Sequence, residues 1–217
     1  AFDGDGDRIG IVDENGNTIE SDKLISIFAR HIINKSINKK VIMDVKCSKA
    51  LEEDIINIGG NPIMVKNGSA YIETVLKDKN VLIGGEYSGH IFFRDKFYGF
   101  DDGIYAGLRM FEILSNTSKK CSELLDGYNK YYNTPEIKVP TTDDKKWNIV
   151  EEVKHYVQSK GYNYLDIDGV RVTFDDGWAL IRCSNTGPNL TMRFEAKTES
   201  RLQIIKQEFE SLVNSLI

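Results

Sequence analysis

Cysteine is scarce in this sequence. Cys47, Cys121 and Cys183 are the three present in 217 residues, and no two of them form a Cys-x-x-Cys pair. An odd, dispersed set argues against a disulfide framework and against a zinc site. A reducing cytoplasm is the expected compartment. No apolar run approaches the roughly 20 residues that a bilayer-spanning helix needs, so no membrane partner is expected. A basic stripe is also missing. With a net charge of −5 and no patch of lysine and arginine, nucleic acid is not an expected partner. Repeats and low-complexity segments are absent. There is no initiator methionine, and Ala1-Phe2 runs straight into acidic residues, which does not read as a secretory signal. The expectation is a fragment that begins inside a motif.

What is present is a globular composition, 41% hydrophobic and 28% charged, with room for one large or two small domains. Residues 9–12 read as a short strand, and Asp13-Glu14-Asn15-Gly16 as a hairpin turn. Ser21 and Asp22 can cap a helix whose apolar face is Leu24, Ile27, Phe28, His31 and Ile32. Strands near 41–45, 62–66 and 81–84 then alternate with helices near 48–58 and 69–77. A long helix near 101–114 and a short one near 122–125 follow. This alternation predicts a mixed α/β domain with a mostly parallel sheet covered on both faces.

After about Tyr132 the pattern changes. A strand over 136–139 precedes a helix near 145–159, with Trp147, Val150, Val153 and Val157 expected inward. Strands near 164–167, 170–174, 178–183 and 190–196 follow without helices between them, with Asp168-Gly169 and Asp176-Gly177 at two turns. A last helix places Leu202, Ile205, Phe209, Leu212 and Leu216 on one face. This reads as an α+β domain with an antiparallel sheet, the boundary falling in residues 129–134.

Three loops carry candidate chemistry. In Asp3-Gly4-Asp5-Gly6-Asp7-Arg8, carboxylates at alternate positions can converge on one hard cation, and the glycines let the chain fold tightly around it. Oxygen ligands suit Mg²⁺ or Ca²⁺. An EF-hand is the rival reading, but Arg8 stands where that loop needs glycine. An acidic solvated turn is the plainer alternative. In Gly85-Glu86-Tyr87-Ser88-Gly89-His90, after an apolar strand, Glu86 and Ser88 can bond vicinal hydroxyls and His90 can meet a phosphate or move a proton. A merely structural turn is the alternative there. In the segment 182–193, Arg182 and Arg193 flank Ser184, Asn185 and Thr186, a mixture of forks, hydroxyls and main-chain N–H groups that suits phosphate. The alternative is a polar hairpin.

In this order and at these separations, the three loops resemble the metal, sugar and phosphate loops of the α-D-phosphohexomutase family, in the type that acts on mannose and glucose phosphates. The resemblance implies four domains around one cleft. Residues 1–20 would end the second, 21–130 form the third, and 131–217 form a fourth with a TATA-binding-protein-like sheet and helix layer. It also implies the reaction. A phosphoserine gives its phosphoryl group to a hexose monophosphate, the hexose 1,6-bisphosphate turns around, and the other phosphoryl group returns. The family's Ser-His-Asn-Pro type loop does not occur here; the missing N-terminal domains would supply it. By the same resemblance, Asp3, Asp5 and Asp7 hold Mg²⁺ and Arg8 steadies the phosphoserine. Glu86 and Ser88 grip the sugar, His90 binds or moves a proton, and Lys46, in Lys46-Cys47-Ser48, faces the cleft. Arg182, Ser184, Asn185, Thr186 and Arg193 clamp the other phosphate. One departure is Gly68-Ser69-Ala70, where relatives carry Gly-His-Ser; Tyr87 for Met is a smaller one. A phosphoglucosamine mutase is the alternative within the same fold. For the fragment alone, the alternative is a non-catalytic sugar-phosphate-binding module.

Overall fold

In the computed structural model, which describes residues 1–217, the chain divides into two units, Ala1–Asn129 and Lys130–Ile217. The first opens on a hairpin, β1 (Ile11–Val12) against β2 (Thr18–Ile19). Asp13 fixes its turn, accepting from the Asn15 and Asn17 main-chain N–H groups at 2.8 Å each. The expected strand over 9–12 is therefore shorter. Ile9 bridges Phe2, and Arg8 bridges His90.

Helix α1 (Ser21–Ile33) starts at Ser21, the expected cap: Glu20, one residue earlier, occupies the cap position without a side-chain bond. Asp22 is buried instead, and its Oδ2 accepts from the Ser48 N–H at 3.1 Å. His31, expected on the apolar face, is half-buried. There follow β3 (Lys40–Asp44), α2 (Lys49–Asn57), β4 (Asn61–Val65), α3 (Ser69–Asp78), β5 (Ile83–Gly85), β6 (Ile91–Phe93) and α4 (Gly103–Ser115). The sheet order is β4-β3-β5-β6, with β3 parallel to both β4 and β5. Val41, Ile42 and Met43 of β3 are fully buried, as helices on both sides of a parallel sheet require. Strand β6 runs antiparallel to β5. It was absent from the expected set because Ile91-Phe92-Phe93 is too short to show any period. The short helix expected near 122–125 is a 3₁₀ turn, Cys121–Glu123.

The second unit contains β7 (Tyr132–Asn133), β8 (Ile137–Pro140), α5 (Asp143–Ser159), β9 (Asn163–Leu165), β10 (Val170–Phe174), β11 (Gly177–Cys183), β12 (Asn189–Ala196) and α6 (Glu199–Leu216). The sheet is antiparallel throughout, in the order β7-β12-β11-β10-β9, and β8 also pairs with β12. Thr142 and Thr198 cap the two helices by accepting from the Lys145 and Arg201 N–H groups. Both helices pack on one sheet face, with Ile205 and Phe209 of α6 in one core with Ile181 and Phe194 of the sheet.

Two expectations shift here. The inward stripe of α5 runs through Lys146, Ile149, Val150, Val153 and Val157. Trp147 lies about 100° around the helix from Lys146 and is 61% exposed. At the β10–β11 turn, Phe174 pairs with Gly177, so the turn is Asp175-Asp176 and not Asp176-Gly177. Gly177 belongs to the strand, where a Cβ would stand 2.3 Å from the Glu195 carbonyl. On the sheet face away from the helices, Trp178 is fully buried and donates to Glu195 Oε1 at 2.7 Å. The guanidinium carbons of Arg171 and Arg193 lie 4.4 Å and 5.5 Å from its ring.

Candidate functional site

The acidic loop is held on a fixed frame. Ala1 and Gly10 exchange hydrogen bonds of 2.9 Å, and Gly103 at the start of α4 donates to Gly6 O at 2.9 Å. Any side chain at Gly103 would collide with the loop, since a Cβ there would lie 2.5 Å from Arg8 O. The carboxylates of Asp3, Asp5 and Asp7 each offer an oxygen, all within 4.8 Å of one another. Arg8 Nε donates to Asp3 Oδ2 at 2.6 Å, and the Arg8 N–H donates to Oδ1 at 3.2 Å. Desolvation pushes the Asp3 carboxyl up, but the bonds and charge of Arg8 outweigh it and bring it down to about 2. Asp7 is pushed up, first by desolvation and then by the like charges of Asp5, Asp3 and Asp101, against the pull of His90. Crowded carboxylates of this kind suit a hard divalent cation with oxygen ligands. The EF-hand arrangement is not formed, because Glu14 turns away to accept from the Ser122 N–H at 3.3 Å.

His90 meets this loop directly through its bridge to Arg8. Its Nδ1 lies 2.7 Å from Asp101 Oδ2 and 3.7 Å from Asp7 Oδ2. Asp101 was not among the expected site residues. Its signal in the sequence is the pair Asp101-Asp102, of which Asp102 alone is used as the α4 cap, accepting from the Tyr105 N–H at 2.8 Å.

Glu86 is 2% exposed and closes the same end of the sheet. Its Oε1 accepts from Asn67 Nδ2 at 2.8 Å and from the Gly68 N–H at 2.5 Å, while Oε2 accepts from Ser88 Oγ at 3.0 Å. Burial pushes its carboxyl above the usual range; the Gly68 N–H opposes this and Asp44 adds to it. Asp44, fully buried at the end of β3, accepts from the Tyr87 N–H at 3.2 Å and from Asn67 Nδ2 at 3.0 Å. Lys46 Nζ lies 3.9 Å from Asp44 Oδ2. Thus Lys46, Glu86, Ser88, His90, Arg8 and the three aspartates gather at the C-terminal ends of parallel strands, where open α/β sheets take ligands. Asp44 and Asn67 went unnoticed in the sequence because each is a single polar residue after a strand. Ser69, the departure noted in Gly68-Ser69-Ala70, opens α3.

In the second unit, Arg182 is buried and its Nε donates to Asp168 Oδ2 at 3.0 Å. Ser184 Oγ accepts from the Thr186 N–H at 3.3 Å, and Asn185 and Thr186 are exposed. Arg193 is not in this turn. It sits on β12 opposite Leu180, fully buried, with Nε donating to Thr134 O at 3.4 Å and its fork packed on Trp178. The alternation of a strand turns it to the same sheet face as Trp178. Beside the turn, a cleft of about 360 Å³ is lined by Trp147, Lys154, Asp166, Asp168 and Asn185.

Residues 20–131 match the alpha/beta/alpha domain III of phosphoglucomutase/phosphomannomutase, and residues 136–212 match the C-terminal domain of the same proteins. The chain belongs to the phosphoglucomutase/phosphomannomutase family. It is 40% identical over 216 residues to the phosphomannomutase/phosphoglucomutase of Pseudomonas aeruginosa PAO1, covering 100% of this chain and 47% of that protein. Similarity to the phosphoglucomutase of Neisseria gonorrhoeae is also 40%, over 217 residues, covering 99% and 47%. A phosphoglucomutase/phosphomannomutase family crystal structure from Burkholderia thailandensis superimposes with a TM-score of 0.90 at 35% identity, covering 100% of this chain and 46% of that one. The chain thus spans about half the length of these family members.

Proposed function

We propose that the full-length protein interconverts hexose 6-phosphates and hexose 1-phosphates of mannose, glucose or both. A phosphoserine outside residues 1–217 would carry the phosphoryl group. The observation that carries this reading is the gathering of Asp3, Asp5, Asp7, Arg8 and His90 beside Glu86 and Ser88 at one end of a parallel sheet, in a chain 40% identical to a protein named phosphomannomutase/phosphoglucomutase.

Each residue has a physical role in this reading. The convergent carboxylates of Asp3, Asp5 and Asp7 fit Mg²⁺, and when bound the ion would supply neutralising charge to the phosphoryl group in transfer. Arg8, fixed by Asp3, presents the rest of its guanidinium to the same phosphate. Ser88 and Glu86 bond the sugar hydroxyls. Asn67 and Gly68 hold Glu86, and Glu86 holds Ser88, so that grip stays the same for both orientations of the bisphosphate. His90, with Nδ1 on Asp101, keeps Nε2 for a substrate hydroxyl or phosphate and moves a proton there. Lys46 adds positive charge at the inner wall. Arg182, Ser184, Asn185 and Thr186 bind the phosphate that is not reacting. Arg193, on the same sheet face as Arg182 and packed against Trp178, would back that clamp. The full-length protein, assayed with mannose 1-phosphate and glucose 1-phosphate in the presence of Mg²⁺ and a bisphosphate activator, should turn over at least one of them. No turnover of either would overturn the reading.

A further inference from the structure

The roles above leave one buried ammonium unassigned. Lys146, on the inner stripe of α5, is 8% exposed among aliphatic neighbours. Its Nζ donates to Ser184 O at 3.2 Å and to Gly187 O at 3.4 Å, and it pairs with Asp143 Oδ1 at 2.6 Å. A lysine is costly to bury and is kept inside only where its charge is met. Here it is met by the Asp143 carboxylate and by two carbonyls from opposite ends of one turn, the turn that carries Ser184, Asn185 and Thr186.

The direction of those carbonyls matters. In a trans peptide the C=O and the next residue's N–H point opposite ways. Drawing Ser184 O inward to the ammonium turns the Asn185 N–H outward. Gly187 precedes Pro188, which has no N–H, so this end of the turn offers a carbonyl and no donor. That oxygen accepts from the Asn189 N–H at 2.9 Å, and Lys146 adds a second, longer bond to it at 3.4 Å from the inner side, where it faces away from an incoming anion. Neighbouring Lys154 is built differently. It lies on the cleft side of α5 and pairs with Asp166 Oδ2 at 2.8 Å.

We propose that Lys146 is a positioning residue for phosphate recognition: by clamping the Ser184 and Gly187 carbonyls on the inner side of the turn, it keeps the Asn185 N–H and the turn's hydroxyls toward the phosphate of a sugar phosphate. This rests on the phosphate reading of the turn.

The test is titration of inorganic phosphate into the 217-residue protein, followed by amide chemical shifts and repeated on variants, with melting temperatures recorded. In the wild type, shifts should centre on residues 182–187. Lys146→Met should weaken phosphate by about tenfold or more, measured well below its melting temperature. Lys146→Gln keeps a donor without the charge and should fall between the two; it carries the test if the methionine variant does not fold. Lys154→Met should stay within roughly twofold of wild type, ~0.4 kcal/mol. Wild-type affinity in Lys146→Gln, and in Lys146→Met if that variant folds, would overturn the proposal. So would equal losses in Lys146→Met and Lys154→Met, which would reduce the effect to bulk charge. Absence of turn-centred shifts in the wild type would sink the phosphate reading itself, and this proposal with it.

Discussion

His90 Nδ1 lies 2.7 Å from Asp101 Oδ2, and this pair joins the residue before β6 to the segment leading into α4. The carboxylate stands beside Nδ1, so a proton on the imidazole is favoured on that nitrogen and Nε2 is left for a ligand. General acid–base groups contribute about 10²–10⁴-fold, and a misoriented one loses part of that. Asp101→Asn in the full-length protein is therefore expected to lower kcat by about tenfold or more while leaving KM for the sugar phosphate close to wild type. A kcat within twofold of wild type, roughly 0.4 kcal/mol, would show that His90 does not depend on the Asp101 charge.

Asp5 is the most exposed of the three loop carboxylates and has no bond to Arg8. Asp5→Asn should cripple Mg²⁺-dependent turnover of the full-length protein and leave the circular dichroism spectrum unchanged. An unaltered magnesium dependence of the rate would show that the loop is an acidic turn and no more.

The 217-residue chain by itself should show no mutase turnover, even with a hexose 1,6-bisphosphate activator, because no Ser-His-Asn-Pro type loop occurs in it. The coupled assay on the purified chain reads this directly, and measurable turnover would place the phosphoryl carrier inside residues 1–217.

The stack of Arg171, Trp178 and Arg193 is a stability element. Trp178→Ala should cost about 3–5 kcal/mol in denaturant unfolding. Arg193→Ala should lower the melting temperature as well as any phosphate affinity, whereas a surface phosphate ligand would lower affinity alone. Acrylamide should quench Trp147, 61% exposed, and leave Trp178, fully buried, nearly untouched.

Burial pushes the Cys183 thiol up to about 11, against the pull of Lys146 and Arg182. At pH 8 only about one molecule in a thousand would carry the thiolate there, so alkylation should be slow and should accelerate as pH rises. Because burial raises this value, the neutral thiol's contribution to stability is complete below the ordinary thiol range. It is lost as pH climbs from there through about 11. Iodoacetamide labelling followed by peptide mapping, with Cys121 as the half-buried reference, checks the order of reaction.

Hydrophobic period made most of the fold legible. The aliphatic β3 read as a buried parallel strand; the caps did not follow from the sequence, since Glu20 and not Ser21 or Asp22 caps α1, and Thr142 and Thr198 cap α5 and α6. Short elements escaped because a three-residue strand such as β6 has no measurable period. Trp147 was misplaced because its size argues for burial, whereas the phase of the helix is set by its neighbours. At the site, the aspartates were visible because they alternate with glycine. Asp44, Asn67, Asp101 and Lys146 act through partners remote in sequence, such as Asp44 with Tyr87 and Lys146 with Ser184, and no spacing rule connects them. Arg193 is buried on the sheet face away from the helices, a face it shares with Arg182 through the β11–β12 register, and only the pairing of the strands reveals this.

The acidic loop is clasped by Ala1 with Gly10, Phe2 with Ile9, Arg8 with His90, and Gly6 with Gly103. Freezing a loose loop around an ion costs about 1–2 kcal/mol of backbone entropy per residue. Here that ordering accompanies folding itself, so a cation arriving at Asp3, Asp5 and Asp7 would meet a finished ring. Its capture should be limited by the shedding of its own hydration water, not by rearrangement of the chain. A distortion at Gly103, about a hundred residues along the chain from the ring it braces, should be felt as slower and weaker capture.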